Sequence, residues 1–386
     1  MPQIRNTLYI LIIFDILRKL VPNPLRTPVE NPPATPPSSR LSFLDRWLAL
    51  WILLAMAAGL LLSNLVPGLS NALEAWKVGQ VSVPIAIGLL VMMYPPLAKV
   101  RYDKSAQLLA DQRLMIVSVV LNWILGPALM FALAWIFVPD LPEFRTGLII
   151  VGLARCIAMV LIWNDLACGD RDAAATLVAI NSLFQVIMFG VLGWFYLQIL
   201  PSWLGLPTTS AEFSFWAIVS SVLVFLGIPL LLGFLSRVLG EHFKSRTWYE
   251  QKYLPKISPL ALIGLLYTIV LLFALQGARI VEQPSAVARV ALPLLAYFVL
   301  MFFLGLLTSR ALHMGYAQST TVAFTAAGNN FELAIAVCIG TFGAHSGQAL
   351  AGTIGPLIEV PVLIALVYVL RWLGPKLFNN APTFER

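Results

Sequence analysis

Residues 318–342 read Gln318-Ser-Thr-Thr-Val-Ala-Phe-Thr-Ala-Ala-Gly-Asn-Asn-Phe-Glu-Leu-Ala-Ile-Ala-Val-Cys-Ile-Gly-Thr-Phe342. The stretch is long enough to cross a bilayer as a helix, which takes roughly 20 apolar residues. Its middle, however, holds a glycine, two asparagines and a glutamate. Gly and Asn both disfavour a helix interior, and unwound backbone at mid-membrane is tolerated only where it is buried in protein or lines a cavity. A carboxyl inside a span costs roughly 2.5–3.5 kcal/mol on insertion scales, so Glu332 marks a function or a buried pair. Thr325, Gly328, Asn329, Glu332 and Ala336 recur at three- and four-residue intervals, which predicts one small, polar helix face. Asn329 and Asn330 alone would also suit hydrogen bonding to a neighbouring helix; Glu332 tips the reading toward a site.

The rest of the chain agrees with a membrane setting. It has 386 residues, 59% hydrophobic and only 11% charged, with a mean hydropathy of +0.86. That composition excludes a soluble enzyme, a nucleic-acid binder and a secreted disulfide module. The apolar stretches predict an all-α polytopic membrane protein with ten helices, at approximately 46–65, 80–98, 114–138, 146–167, 173–199, 213–237, 259–277, 288–309, 318–342 and 348–373. Twenty of the 25 Lys and Arg fall on one side of that arrangement, four (Lys77, Arg145, Arg279, Arg289) on the other, and Arg155 lies inside a span. By the positive-inside rule both termini are cytoplasmic; the expected location is the plasma (inner) membrane. The same bias accounts for the net charge of +7 as a topology signal.

Residues 1–43 form a separate tail. Leu8–Leu17 is too short an apolar run to span, lacks the small-residue cleavage site of a signal peptide, and leads into seven prolines between Pro22 and Pro37 that keep the segment free of helix. The transporter-like body covers 44–375, with possible halves at about 44–200 and 210–375, and 376–386 is a cytoplasmic tail. A shift of 174 residues relates the halves without a gap: it pairs Gly169 with Gly343, Ile180 with Ile354, Leu183 with Leu357 and Val186 with Val360, and sets Gln185 opposite Glu359. It also puts Arg155 and Cys156 opposite Asn329 and Asn330. Polar intramembrane residues at matched places are what inverted-repeat transporters show at their substrate site.

The ionisable groups inside spans are Arg155, Glu332 and Glu359, all in the related helix pairs. Glu359 follows Gly352 and Gly355 on one stripe of the last span, where Pro356 and Pro361 disturb the ladder; Asn181 and Gln185 form the corresponding stripe of span five. A membrane carboxyl is either a proton carrier or a group bonded to a backbone carbonyl. Arg155 either holds a carboxylate or acts as a fixed charge. Cys156, read from composition alone, is a small hydrophobe; Cys168 and Cys338 are packing residues. Trp163–Asp172 reads as a capped, solvated turn. No CxxC spacing or acid cluster implies a metal site or a bound cofactor.

Three stretches carry a resemblance: Gly152-Leu-Ala-Arg-Cys-Ile-Ala-Met-Val-Leu-Ile-Trp-Asn-Asp-Leu-Ala-Cys-Gly-Asp170, Ala179-Ile-Asn-Ser-Leu-Phe-Gln185 and Gly328-Asn-Asn-Phe-Glu-Leu-Ala-Ile-Ala336. Across about residues 44–375 the chain resembles the arsenite permeases of the bile acid/arsenite/riboflavin transporter superfamily. The resemblance implies two inverted five-helix repeats, with discontinuous helices four and nine crossing at mid-membrane. It implies efflux of trivalent arsenic, in some members antimony, in exchange for protons. It also makes Cys156 and Glu332 the functional cysteine and glutamate, which replaces the packing reading of Cys156. Trivalent arsenic is soft and thiophilic, and a single thiol suits a transient site that must also release. Asn329, Asn330, Asn181 and Gln185 are the candidate hydrogen-bond partners of the neutral hydroxylated substrate.

The rival within transport is a sodium-coupled carrier of an organic anion. An enzyme lacks a converging catalytic set, because His242, His313 and His345 lie near span ends. A channel is disfavoured by helices broken at matched repeat positions. Oligomeric state is not legible.

Overall fold

The computed structural model describes residues 47–66, 68–78, 81–100, 112–208, 214–282, 284–379 and 381–382. The proline-rich tail, the 101–111 part of the basic loop and the last four residues lie outside the described residues. What is described is almost entirely helical. Six helices are long and apolar enough to cross a membrane: α4 (Arg113–Phe137), α7 (Arg171–Trp203), α8 (Phe215–Phe243), α9 (Arg246–Gln276), α10 (Pro284–Ala311) and α13 (Gly347–Leu377). Between them lie α1 (Leu48–Leu65), the short α2 (Leu69–Ala75), α3 (Val83–Lys99), and two pairs of half-length helices. The first pair is α5 (Pro142–Leu153) with α6 (Met159–Leu166); the second is α11 (Tyr316–Ala327) with α12 (Phe331–Phe342). A small hairpin is formed by β1 (Lys77–Val78) with β2 (Val81–Ser82).

Two corrections to the sequence reading have local causes. The stretch 146–167 is not one continuous helix: it starts earlier, at Pro142, and is interrupted between Leu153 and Met159. Span seven begins at Arg246 instead of 259, because the helix tolerates Pro255 and Pro259. The tolerance has a pattern. Widened π-turns at 121–125, 195–199, 223–227 and 249–253 are each followed, two residues on, by Pro127, Pro201, Pro229 and Pro255. A proline lacks the N–H and its ring crowds the carbonyl four residues back, and a wider turn just ahead of it relieves both.

In lipid, helices gain little from hydrophobicity when they meet, so close packing at small residues holds them together. Helix α9 lies along α1 and α3, with Gly264 so near Met92 that a Cβ there would sit 2.8 Å from its Cβ. Helix α8 crosses α3 at Gly233, where a Cβ would be 2.8 Å from the Leu97 carbonyl carbon. Elsewhere α10 packs on α11 at Gly305, and α5 on α13 at Gly147. Exposed Trp76, Trp203 and Trp216 lie near helix ends, as do Trp47 and Trp372, the last with Lys376 Nζ 3.6 Å from its ring centroid. Such placement suits membrane–water boundaries.

The turn between α4 and α5 is tied to α10 by Arg289, whose guanidinium meets both oxygens of Asp140 and donates to the Phe137 carbonyl at 3.1 Å. That hydrogen bond, with the attraction of the guanidinium, pulls the exposed Asp140 carboxyl down to about 2. Since the pair forms only in the folded chain, its contribution is present above the ordinary carboxylate range and is lost as the pH falls toward about 2. Asp140→Asn should therefore change the detergent melting temperature by the same small amount at pH 5 as at pH 8; a difference that grows between these values would contradict the assignment. At Gly233, Ala should lower stability by about 1–3 kcal/mol through overpacking against backbone, read as a lower melting temperature.

Candidate functional site

The two interruptions meet. At the first, Ala154 is extended (φ −85°, ψ 114°); at the second, Gly328 is (φ −72°, ψ 145°). Arg155 and Asn329 form an antiparallel bridge, with Cys156 N–H donating to the Gly328 carbonyl at 3.3 Å and Asn330 N–H to the Ala154 carbonyl at 3.1 Å. Each unwound strand thus supplies the hydrogen bonds the other has lost from its helix, which is what buried backbone requires. Gly328 fits because a Cβ there would lie 3.0 Å from the Cys156 Cβ.

The remaining backbone donors are met in matched fashion. Arg155 N–H donates to Gln185 Oε1 at 2.9 Å, and Asn329 N–H donates to Glu359 Oε1 at 3.0 Å. Cys156 Sγ accepts the N–H of Val160 at 3.3 Å at the start of α6, and Asn330 Oδ1 accepts that of Leu333 at 3.0 Å at the start of α12. The 174-residue shift read from the sequence carries 142–153 onto 316–327, the bounds of α5 and α11, and carries Arg155, Cys156 and Gln185 onto Asn329, Asn330 and Glu359. Residues related by the shift therefore do related work at the crossing.

Side chains around it are buried. Arg155 is fully enclosed: one guanidinium nitrogen donates to the Tyr297 hydroxyl at 2.7 Å, the other to the Gly152 carbonyl, and among the described residues no carboxylate comes within ion-pair distance. Asn329 Nδ2 donates to the Val151 carbonyl at 2.6 Å, Gln185 Nε2 to the Asn181 carbonyl at 3.2 Å, and Trp123 Nε1 to Asn181 Oδ1 at 3.2 Å. Much of the expected amide set is thus committed to the protein itself. Asn329 Oδ1, Asn330 Nδ2 and Asn181 Nδ2 are buried with no protein partner among the described residues.

Glu332, the second residue of α12, is half-buried and borders a cavity of about 170 Å³. The opposite wall comes from Leu48, Met92 and Met93, Lys99, Ser258 and Leu262, on α1, α3 and α9, and the near wall from Ile157–Met159. Cys156 is 2% exposed; it does not line the cavity itself but immediately precedes Ile157, which does. Both Glu332 and Glu359 are within electrostatic range of the thiol. The polar face predicted across Thr325–Ala336 does not exist as one helix stripe: the chain unwinds at 328–330, so Asn329 turns into the protein while Glu332 faces the cavity. Trp163–Asp172 does make a capped turn, with Asp170 Oδ1 accepting Ala173 N–H at 3.0 Å and Arg171 pairing with Asp165 at 2.7 Å. Cys168 there adopts φ 56°, and Cys338 is buried in α12.

Tyr297, Gly126 and Trp123 escaped the sequence reading. Each is a single aromatic or small residue within an apolar span, the commonest kind of packing residue, and only its proximity to Arg155 or Asn181 distinguishes it.

A glutamine at Glu359 keeps the acceptor for Asn329 N–H, whereas alanine removes it. Glu359→Ala should therefore cost about 1–3 kcal/mol of stability, the cost of a buried unpaired donor, and Glu359→Gln much less. Thermal unfolding in detergent reads both; equal losses would show that the carboxyl's bond to the crossing is not what matters.

Known proteins are similar to this chain in sequence. The family model described as Sodium Bile acid symporter family matches residues 86–283, just over half of the chain. The chain is 71% identical over 345 residues to the arsenical-resistance protein Acr3 of Corynebacterium glutamicum, covering 89% of this chain and 93% of that one. It is 33% identical over 350 residues to an uncharacterized transporter of Synechocystis sp., covering 86% and 89%. It is 30% identical over 339 residues to the arsenical-resistance protein Acr3 of Alkaliphilus metalliredigens, covering 85% and 92%. These are transporters and not enzymes, and the long apolar helices make the chain a multi-pass membrane protein. The chain belongs to the sodium bile acid symporter family, among relatives that carry the name arsenical-resistance protein.

Proposed function

We propose that this chain is a secondary transporter that exports arsenite from the cytoplasm across the plasma membrane, in exchange for protons, with antimonite as a further substrate. The observation that carries the reading is the placement of Cys156 at the crossing, next in sequence to Ile157, which lines a cavity bordered by Glu332. A soft thiol suits trivalent arsenic, and the unpartnered Asn329 Oδ1, Asn330 Nδ2 and Asn181 Nδ2 suit the hydroxyls of a neutral species. The arsenical-resistance names of two relatives support the same substrate.

The architecture belonging to this reading is ten transmembrane helices in two inverted five-helix repeats, with α5/α6 and α11/α12 as the discontinuous fourth and ninth. Its support is the agreement between the 174-residue shift and the paired bonds of the crossing. Both termini are cytoplasmic on the Lys/Arg count. In that orientation the cavity, lined by Leu48 at the start of α1, Pro96 and Lys99 at the end of α3 and Ser258 early in α9, opens inward. Arsenite enters from inside and meets Cys156; a proton arriving from outside competes through Glu332, and Arg155 stays a fixed positive charge behind the crossing. An internal site exposed to one side at a time is the arrangement alternating access needs.

In everted vesicles with an imposed proton gradient, the intact chain should accumulate arsenite without sodium. Cys156→Ala should lower the initial rate at least tenfold at equal membrane abundance, and Glu332→Gln should abolish the response to the gradient. Normal gradient-driven rates in Glu332→Gln would remove the competition scheme, and uptake of an organic anion that requires sodium would replace this function with that of the rival carrier.

A further inference from the structure

The Arg155 guanidinium sits in a pocket made by two residues that nothing above assigns to the site. The Tyr297 hydroxyl of α10, itself fully buried, accepts its Nη1–H at 2.7 Å. Beside that bond lies Gly126 of α4, directly after the π-turn, where a Cβ would be 2.7 Å from Nη1 and 3.0 Å from the tyrosine hydroxyl. The third contact is the Gly152 carbonyl at the end of α5. Nε has no partner among the described residues, and no carboxylate neutralises the group at ion-pair distance.

A guanidinium in a low-dielectric interior is held by its hydrogen bonds, so its place depends on the few acceptors it has. Arg155 is also the residue whose backbone forms the bridge with Asn329 and bonds Gln185. Its side chain points away from the cavity, into α4 and α10, and none of its atoms lines the cavity wall. The guanidinium therefore works on the site through its own backbone, as an anchor for the strand that carries Cys156.

We propose that Tyr297 and Gly126 are positioning residues: together they form the socket that seats the Arg155 guanidinium, and through it they hold the Cys156 strand against residues 328–330. The inference rests on the transport reading for its functional consequence and on geometry alone for its structural one. Tyr297→Phe removes only the hydroxyl and keeps the ring, so it is the gentlest probe. Gly126→Ala intrudes on both partners of that bond.

The test uses the full chain in native membranes and measures two quantities. The first is the rate of Cys156 alkylation by N-ethylmaleimide, followed on the peptide containing it by mass spectrometry; this readout needs no transport. Tyr297→Phe and Gly126→Ala should each raise that rate about tenfold, the scale of one lost hydrogen bond to a charged group. Arg155→Met should raise it too, and adding Tyr297→Phe to Arg155→Met should then change nothing further. The second is arsenite efflux by the same variants at matched abundance, where the rate at low arsenite should fall about tenfold, because the strand that loosens carries the proposed arsenic ligand. Unchanged alkylation in both single variants, or a Tyr297→Phe effect that persists in full beside Arg155→Met, overturns the socket. An intact chain that moves no arsenite overturns the functional reading instead, and the alkylation series still decides the socket.

Discussion

A backbone that leaves the helix inside a membrane must find new hydrogen-bond partners there, because lipid offers none. This chain leaves the helix twice, at 154–158 and 328–330, and the two strands satisfy each other. Most features of the interior follow from that constraint. Gln185 and Glu359 are placed where they take the two N–H groups the strands cannot share. Cys156 and Asn330 take the first free N–H groups of the half-helices that restart beyond. Gly328 is required by the close passage of Cys156. A polar knot of this kind is costly when one member is missing, so it fixes the geometry of whatever it surrounds.

The amide atoms that bond within the protein belong to the scaffold; in the proposed function, those left unpartnered on Asn329, Asn330 and Asn181 are the ones assigned to the ligand. Glu332 is placed on the cavity side and Glu359 on the scaffold side, which separates the two carboxyls by role although they are similar in sequence context. In the proposed cycle that separation lets one glutamate exchange partners while the other keeps the crossing intact. The Arg155 charge, turned toward Tyr297 and away from the cavity, stays with the scaffold.

How much of this was legible in the sequence depended on whether the signal was local. The long helices were, because about 20 apolar residues in a row have one reading; their ends were less so where Pro255 and Pro259 concealed the start of α9 at Arg246. The second interruption shows itself in Gly328-Asn-Asn, whereas Ala154-Arg-Cys-Ile-Ala158 contains no helix breaker, and only the 174-residue shift and the family resemblance pointed to it. The same shift foresaw that Arg155 and Asn329 are equivalent, though not that they bond directly. Counting polar residues along span nine suggested one face, and the unwinding that the same Gly and Asn cause is what destroyed that face. Tyr297 and Gly126 were beyond reach, since contacts between separate helices, 142 residues apart for Arg155 and Tyr297, leave no local pattern.

In the proposed function one cysteine at the crossing, Cys156, is the arsenic ligand, and arsenic-edge X-ray absorption on the purified chain loaded with arsenite reads that bond. A single sulfur neighbour with oxygens completing the shell is expected, and an all-oxygen shell in Cys156→Ala. A sulfur neighbour that survives that substitution, or an intact chain that binds arsenite through oxygen alone, would contradict it.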